Sequence, residues 1–401
     1  MTQKTLNRGK AIAIIGAVQM LQPFALDPYL PSVNVIAQGF AVSPSVIQLT
    51  LSALSLGFAL GQLVAGPLSD SLGRRKPLLV GMAIYLVATV FCSFSGSLEL
   101  FFAMRMLQGF SAAAVLVVGN AMIRDLYSGA QLIKALSRAM LLQAASWFIG
   151  PFMGSLFLYF TNWRGISLSI AAITAVLMVL AIRSIPETLP TAGRKDDVFR
   201  GMLSRFGAVL KDRQYAGLVG ISVCFSLSIY SYLGVLPLIY SNEFGILSTG
   251  IGLFMGLNSM ASYIGVQVSS KISQHLPPQW VLTAVIALSG VLGLAMLLLA
   301  HSAPPLWLAA ALVFVYVFLF GASVTPTAGL ALAPHGKEAG TAAALMSVVG
   351  YLASALAGPF FTTLSKSNLS GVGGTIFGIM GLALVIMFFV VRPRTVASLS
   401  D

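Results

Sequence analysis

The chain has 401 residues, of which 57% are hydrophobic and only 8% are charged. An ordinary soluble domain has about a quarter of its residues charged, so this composition excludes a water-facing globular surface and indicates a protein surrounded largely by lipid. The formal net charge of +12 would suggest nucleic-acid binding only if the basic residues were clustered for it.

Twelve apolar stretches are long enough to cross a hydrocarbon core of about 30 Å as helices. In chain order these predicted spans cover 11–33, 46–68, 77–97, 99–123, 136–159, 164–185, 215–240, 246–270, 279–300, 305–332, 338–364 and 372–391. The only extended polar stretch, 186–214, separates six spans from six. The sequence therefore predicts an all-α integral membrane protein, with six-helix bundles at 1–185 and 215–401 joined by a cytoplasmic linker.

The basic residues follow the span map. If the N-terminus is cytoplasmic, 20 of the 23 Lys and Arg lie in cytoplasmic segments, as the positive-inside rule requires. We therefore expect both termini in the cytoplasm. The positive charge reflects topology, and nucleic acid is not an expected partner.

Span 1 contains "LDPYLP", in which Asp27 is the only carboxylate placed well inside a span. Ionisable groups within a membrane span are costly and typically functional. Pro28 and Pro31 should loosen the local helix and let the acid face a cavity. Arg105 in span 4 is expected at a similar depth, so the sequence predicts an Asp27–Arg105 pair, either titrating or fixed and structural.

The turn between spans 2 and 3 reads "GPLSDSLGRRKPL". Here Gly66 is expected to permit close helix approach, and Asp70 places a carboxylate near a helix end. Gly73, followed by Arg74 and Arg75, predicts a tight basic turn on the cytoplasmic side.

An internal repeat links the two halves. The stretch "FIGPFMGSLF" at 148–157 matches "LAGPFFTTLS" at 356–365, and Pro28 aligns with Pro237 while Asp27 aligns with Leu236. A parallel duplication of six-helix units places a substrate cavity between the bundles and alternates access by rocking them. The acid belongs to one half only.

These motifs resemble those of the major facilitator superfamily. The turn matches motif A through Gly66, Asp70, Gly73, Arg74 and Arg75, together with Leu68. "RMLQG" resembles motif B of proton-coupled drug exporters, with Arg105 and Gln108. "GPFMG" resembles the antiporter motif C through Gly150, Pro151 and Gly154. That match is partial, since serines stand at 137, 146 and 155 where the longer motif has glycines.

Together with "LDPYLP" and "NWRGI", the motifs resemble the bicyclomycin/chloramphenicol (Bcr/CflA) branch of the drug:proton antiporters, although Pro28 replaces the branch's usual Met. The resemblance implies a monomeric protein of the bacterial plasma (inner) membrane that exchanges drugs for protons. It implies proton coupling at Asp27 and Arg105, and a conformational switch at motif A. The proton gradient supplies the drive, so neither cofactor nor metal is expected.

We therefore expect a multidrug efflux antiporter that exports small amphipathic compounds, phenicol-type antibiotics among them, by alternating access. A transporter of a native metabolite, such as a sugar or amino acid derivative, is the alternative. An enzyme is not expected, because the three histidines fall in loops and one buried acid is insufficient. Candidate substrate-binding residues are Tyr29, Gln108, Tyr230, Tyr232, Met255 and Asn258, although core packing or lipid contact could explain each one.

Overall fold

The computed structural model describes residues 8–194, 202–302, 304–364 and 368–395, and all regular structure within them is helical. The first half contains α1 (Arg8–Gln19), α2 (Leu21–Phe24), a 3-10 helix (Asp27–Ser32), α3 (Val33–Gly39), α4 (Pro44–Leu72), α5 (Arg75–Phe94), α6 (Leu98–Leu126), α7 (Gly129–Phe160) and α8 (Trp163–Ser184). The second half contains α9 (Met202–Leu210), α10 (Arg213–Asn242), α11 (Ser248–Ile272), α12 (Pro278–Leu299), α13 (Leu306–Leu332), α14 (Ala339–Leu364) and α15 (Leu369–Ile386), which ends in a π-helical turn (Met387–Val391).

Twelve helical segments among these residues are long and apolar enough to cross a membrane. The predicted all-α, twelve-span fold is confirmed. The span ends differ from the predicted ones where the helix extends beyond the apolar stretch of the sequence. Span 1 continues through α3 to Gly39, and α4 continues to Leu72, so Asp70 lies in the last turn of a helix.

The chain divides into two compact units, Met1–Gly201 and Met202–Asp401. Each unit contains six of the spans. The segment predicted as the linker, 186–214, contributes residues to both units, with α9 (Met202–Leu210) in the second. Residues 195–201 of that segment lie outside the described part of the chain.

The second and fourth spans of each unit cross closely at glycines. At these positions an added Cβ atom would overlap backbone atoms of the facing helix, so only glycine fits. The glycines are Gly57, Gly61 and Gly109 between α4 and α6, and Gly265 and Gly321 between α11 and α13. The two units therefore pack their second and fourth spans in the same way, through glycines.

The close approach predicted at Gly66 is wrong. A Cβ atom at this position would lie 3.8 Å from Val117 Cγ1, which is an ordinary contact. The tight contacts between α4 and α6 lie earlier along α4, at Gly57 and Gly61.

Candidate transport site

Span 1 is broken at Asp27. The α-helical path ends at Phe24, a 3-10 helix runs from Asp27 to Ser32, and α-helix resumes at Val33. Pro28 and Pro31 lack backbone N–H groups, which prevents the regular α-helical ladder from continuing. The Tyr29 N–H donates to the Leu26 carbonyl, 3.1 Å away. The carbonyl of Ala25 is thereby left without its usual α-helical donor.

Arg105 donates a hydrogen bond to the Ala25 carbonyl in place of the missing backbone N–H. Its Nη1 donates to Ala25 O at 2.5 Å and to Gln108 Oε1 at 2.7 Å, and the side chain is only 1% exposed. The predicted Asp27–Arg105 pair is wrong, since no ion pair joins the two side chains within the described residues. The break in span 1 explains the difference, because the arginine is bonded to backbone that the prolines release.

A buried polar cluster surrounds the arginine. The guanidinium lies over the Tyr29 ring, 4.2 Å from its centroid, and the Tyr29 hydroxyl is 2.9 Å from Ser167 Oγ. Gln108 Nε2 donates to Thr89 Oγ1 at 2.9 Å. Tyr29 and Gln108, both predicted to bind substrate, are therefore buried supports of Arg105 in this structure.

Asp27 itself is half-buried, and its Oδ2 atom is buried without a hydrogen-bond partner in the described part of the chain. A buried carboxylate oxygen without a donor is costly when it is ionised, whereas protonation removes much of that cost. This atom is therefore suited to hold a proton or to accept a hydrogen bond from a bound molecule.

Two glycines of α7 make room for the break. A Cβ atom at Gly150 would lie 2.8 Å from Asp27 Cβ, and one at Gly154 would overlap the Pro28 carbonyl. Pro151 lies inside α7 between them. Gly150 thus lies against the acidic residue of span 1 and Gly154 against the proline that follows it, a relation that spacing in the sequence could not reveal.

Motif A forms a tight turn between α4 and α5. Gly73 has a φ of 90°, in the region that favours glycine. Arg74 donates through Nη1 to Asp70 at 2.5 Å and through Nε to Asp125 at 3.0 Å. Arg75 donates to the Ile182 carbonyl at 2.7 Å. All five motif A positions, from Gly66 to Arg75, lie on α4, in this turn or at the start of α5.

Glu187, which follows α8, completes this turn and was missed by the sequence analysis. Its carboxylate accepts hydrogen bonds from the backbone N–H groups of Arg74 at 2.7 Å and Arg75 at 3.2 Å, and also from those of Thr188 and Leu189. Partial burial alone would raise the pKa of Glu187, but these backbone donors favour the ionised form and lower it below the usual 4.5. The "PETL" stretch after span 6 was the available signal.

The second unit contains uncharged hydroxyl groups in the corresponding core. Asn258 Nδ2 donates to the Tyr232 hydroxyl at 2.7 Å, and the Tyr316 hydroxyl donates to Ser228 Oγ at 2.5 Å. Among the predicted substrate-binding residues, Tyr232, Met255 and Asn258 are buried and Tyr230 is half-buried. The structure therefore brings Tyr232 and Asn258 together, and adds Tyr316, which sequence reasoning missed.

Comparison with known proteins decides the family. The model of the Major Facilitator Superfamily matches residues 12–358. The chain belongs to this superfamily. It is accordingly a transporter of small molecules and not an enzyme, and the superfamily predicted from the motifs is confirmed.

Similar members of the superfamily come from bacteria. An uncharacterized MFS-type transporter of Bacillus subtilis strain 168, YdgK, is 29% identical over 388 residues, 95% of each chain. A bicyclomycin resistance protein homolog of Haemophilus influenzae is 25% identical over 379 residues, 94% of this chain and 95% of the relative. A chloramphenicol resistance protein of Pseudomonas aeruginosa is 33% identical over 180 residues, 44% of this chain and 42% of the relative.

Solved structures agree in fold. The crystal structure of a D-xylose-proton symporter superposes with a TM-score of 0.80 at 12% identity, covering 98% of this chain and 100% of the other. At that identity the likeness establishes the facilitator fold alone. The twelve spans and the bacterial relatives together make this facilitator a multi-pass bacterial membrane protein.

Proposed function

We propose that this facilitator is a proton-coupled multidrug exporter that exchanges small amphipathic compounds for protons by alternating access. The unpartnered Oδ2 atom of Asp27 carries the proposal, because it is a buried carboxylate oxygen at a break in a membrane span. Relatives named for bicyclomycin and chloramphenicol resistance support the cargo class.

Asp27 is the residue to which we assign the proton. When cargo enters from the cytoplasm, the carboxyl group releases its proton, and it takes up another when the site opens to the outside. Each proton that moves inward across 100 mV supplies about 2.3 kcal/mol, which supports roughly fiftyfold accumulation of cargo outside.

Arg105 adjusts this exchange indirectly. Its Nη1 is bonded to Ala25 O and to Gln108, and its Nη2 is buried without a partner in the described residues. These bonds fix the backbone directly before Asp27. We therefore assign Arg105 the role of holding the released backbone, and with it Asp27, in place.

Motif C and motif A complete the mechanism. Gly150 and Gly154 let α7 lie directly against Asp27 and Pro28, so we assign them the coupling between the acid and movement of α7. The motif A turn, held by Arg74 and Asp70, sets the balance between the inward-open and outward-open states. In this proposal both termini lie in the cytoplasm, the protein sits in the plasma membrane as a monomer, and no cofactor is used.

The test is proton movement in inverted vesicles that are energised to be acid inside and loaded with a pH-sensitive dye. Addition of chloramphenicol, florfenicol or a lipophilic cation is expected to restore fluorescence in wild-type vesicles. The Asp27→Asn variant is expected to lose the response, because an amide cannot exchange a proton.

A matched acid-to-amide control is Glu243→Gln, which changes an exposed carboxylate of the second unit and should leave the response intact. Recovery of equal size in Asp27→Asn vesicles would contradict the assignment. If no drug gives a response beside a functional positive control, export of drugs is refuted and the metabolite alternative replaces it.

A further inference from the structure

Four side-chain amides inside the membrane spans of the first unit form two neighbouring hydrogen-bonded pairs. Gln19 and Gln22 lie on α1 and α2, Asn120 lies on α6, and Gln143 lies on α7. We call these residues the amide cluster. Neutral polar groups within membrane spans are unfavourable in lipid, so side chains of this kind face a partner, water or a bound molecule.

The cluster is hydrogen-bonded internally, but only in part. Gln19 Nε2 donates to Asn120 Oδ1 at 3.0 Å and to the Leu116 carbonyl at 3.3 Å, and Gln143 Nε2 donates to Gln22 Oε1 at 3.3 Å. Among the described residues, the amide nitrogens of Asn120 and Gln22 and the carbonyl oxygen of Gln143 have no protein partner. Asn120, Gln22 and Gln143 are half-buried, so these donors and acceptors are open to a bound molecule.

Two glycines allow the cluster to assemble. A Cβ atom at Gly119 would lie 2.8 Å from Gln19 Nε2, so the glycine leaves space for that amide. A Cβ atom at Gly16 would lie 2.7 Å from Leu142 Cδ1. The second glycine thus brings α1 against α7 next to Gln143. Glycines on α1 and α6 therefore leave space for the amide cluster between α1, α6 and α7.

The cluster lies close to the proposed proton site. On α7, Gln143 precedes Gly150 by seven residues, which is two helical turns on the same face and about 10 Å, and a Cβ atom at Gly150 would lie 2.8 Å from Asp27 Cβ. A molecule bound to the amide cluster would therefore lie within reach of the Asp27 carboxyl group, so that its arrival could affect the proton there.

The chemistry of the cluster selects a class of ligand. It offers both donors and an acceptor and contains no ionisable group, which suits a partner with its own carbonyl, N–H or hydroxyl groups. A cation without hydrogen-bonding groups cannot form hydrogen bonds with it. Polar groups placed to bond a ligand discriminate strongly against an analogue that lacks the matching groups.

We propose that the amide cluster is the hydrogen-bonding part of the cargo site and selects uncharged compounds that carry an amide or neighbouring hydroxyl groups. This inference rests on the proposed export function, and names the substrate class that the same transport site takes.

Binding to purified protein in detergent tests the inference without transport. The probes are chloramphenicol, which is uncharged and has an amide and two hydroxyl groups, and tetraphenylphosphonium, a cation without hydrogen-bonding groups. We expect Gln22→Leu and Gln143→Leu each to weaken chloramphenicol binding by about two- to tenfold, the effect of one hydrogen bond. Tetraphenylphosphonium binding should be unchanged.

Gln38→Leu is the matched control, because Gln38 is an exposed amide on α3 of the same span. It should alter neither probe. Unchanged tetraphenylphosphonium binding also shows that the cluster variants are folded, and Gln22→Asn, which keeps an amide, should lie between wild type and Gln22→Leu. Failure of wild type to bind chloramphenicol, unchanged binding in both leucine variants, or equal weakening of both probes would overturn the inference.

The dye assay separates this inference from the proposed function. If chloramphenicol binding depends on Gln22 and Gln143 but no compound moves protons, the export proposal fails and the amide cluster stands as a binding site. If chloramphenicol moves protons equally well in wild type and in both leucine variants, export stands and the role of the amide cluster is refuted.

Discussion

Spans 1 and 7 are repeats of one design that fold differently. Span 1 carries Asp27 and Pro28 and is broken by a 3-10 helix, whereas the aligned Leu236 and Pro237 lie within the continuous helix α10. Both prolines are buried. A single proline is therefore accommodated in α10, while span 1 breaks where a second proline, Pro31, follows within the same turn.

The helices that accompany these spans differ in the same way. On α7, a side chain at Gly150 or Gly154 would collide with Asp27 or Pro28, whereas on α14 a Cβ atom at the aligned Gly358 would meet nothing within 4 Å. The "GPF" sequence is thus shared, but the close contact is not. Among the described residues, this repeated segment packs against a carboxylate-bearing residue in the first half, at Gly150, and not at the aligned Gly358.

The buried polar side chains of the two units also differ in charge. The buried cluster of the first unit contains a cation and lies beside a carboxylate, whereas that of the second unit consists of tyrosine, serine and asparagine side chains. A carboxyl group that can change charge therefore lies beside the first cluster, whereas the side chains named in the second cluster are neutral at pH 7. We assign proton chemistry to the first unit for this reason.

The largest difference in stability between the two units is expected when a buried polar side chain is removed from each core. Arg105→Met leaves Ala25 O and Gln108 Oε1 without their donor, which should cost about 2–4 kcal/mol of stability. Tyr316→Phe removes one hydrogen bond, to Ser228, and should cost about 1 kcal/mol. Thermal unfolding of the detergent-purified variants measures both. An Arg105→Met variant no less stable than Tyr316→Phe would show that the released backbone needs no donor.

A smaller difference is expected at the paired glycines. Gly154→Ala forces a methyl group against the Pro28 backbone and should cost about 1–3 kcal/mol. Gly358→Ala meets open space and should change stability by less than about 0.5 kcal/mol. The same unfolding measurement applies. An equal loss of stability in the two variants would contradict the close contact that we assign to α7 and not to α14.

The smallest effects concern two exposed carboxylates with pKa values shifted in opposite directions. Partial burial of the carboxyl group raises the pKa of Glu243, and a hydrogen bond from Leu369 N–H offsets that rise only in part, whereas backbone donors lower the pKa of Glu187. Glu187→Gln should therefore lower stability at pH 7, and Glu243→Gln should leave it unchanged or raise it slightly. Both effects should stay below about 0.5 kcal/mol, since exposed charges are well solvated.

The pH dependence of these two sites has opposite signs. A lowered pKa gives stabilisation that is present above the unfolded value, near 4.5, and is lost as the pH falls through the folded value. A raised pKa gives stabilisation that is present below the unfolded value and is lost as the pH rises. Unfolding temperatures of wild type and the Glu187→Gln variant should therefore converge as the pH falls below 4.5, and a difference that stays constant throughout the acid range would contradict the role of Glu187.

Sequence reasoning predicted the elements of the fold and only part of the site. Hydropathy identified all twelve spans, because lipid requires long apolar helices whatever the packing. Gly73 was predicted at its turn, because a tight turn that requires positive φ depends on local sequence. The contacts of Arg105 with Ala25 and of Gly154 with Pro28 join residues far apart in the chain, and no local pattern carries that information. The same holds for Glu187 and for the amide cluster.

Proton release on cargo binding tests the assignment of Asp27 most directly. Purified protein in weakly buffered detergent solution, with a pH indicator, is mixed with chloramphenicol or with a lipophilic cation. Our assignment predicts that wild type and Glu243→Gln acidify the solution, while Asp27→Asn binds the compound and releases no protons. Undiminished proton release by Asp27→Asn would contradict the assignment and place the coupling proton on another group.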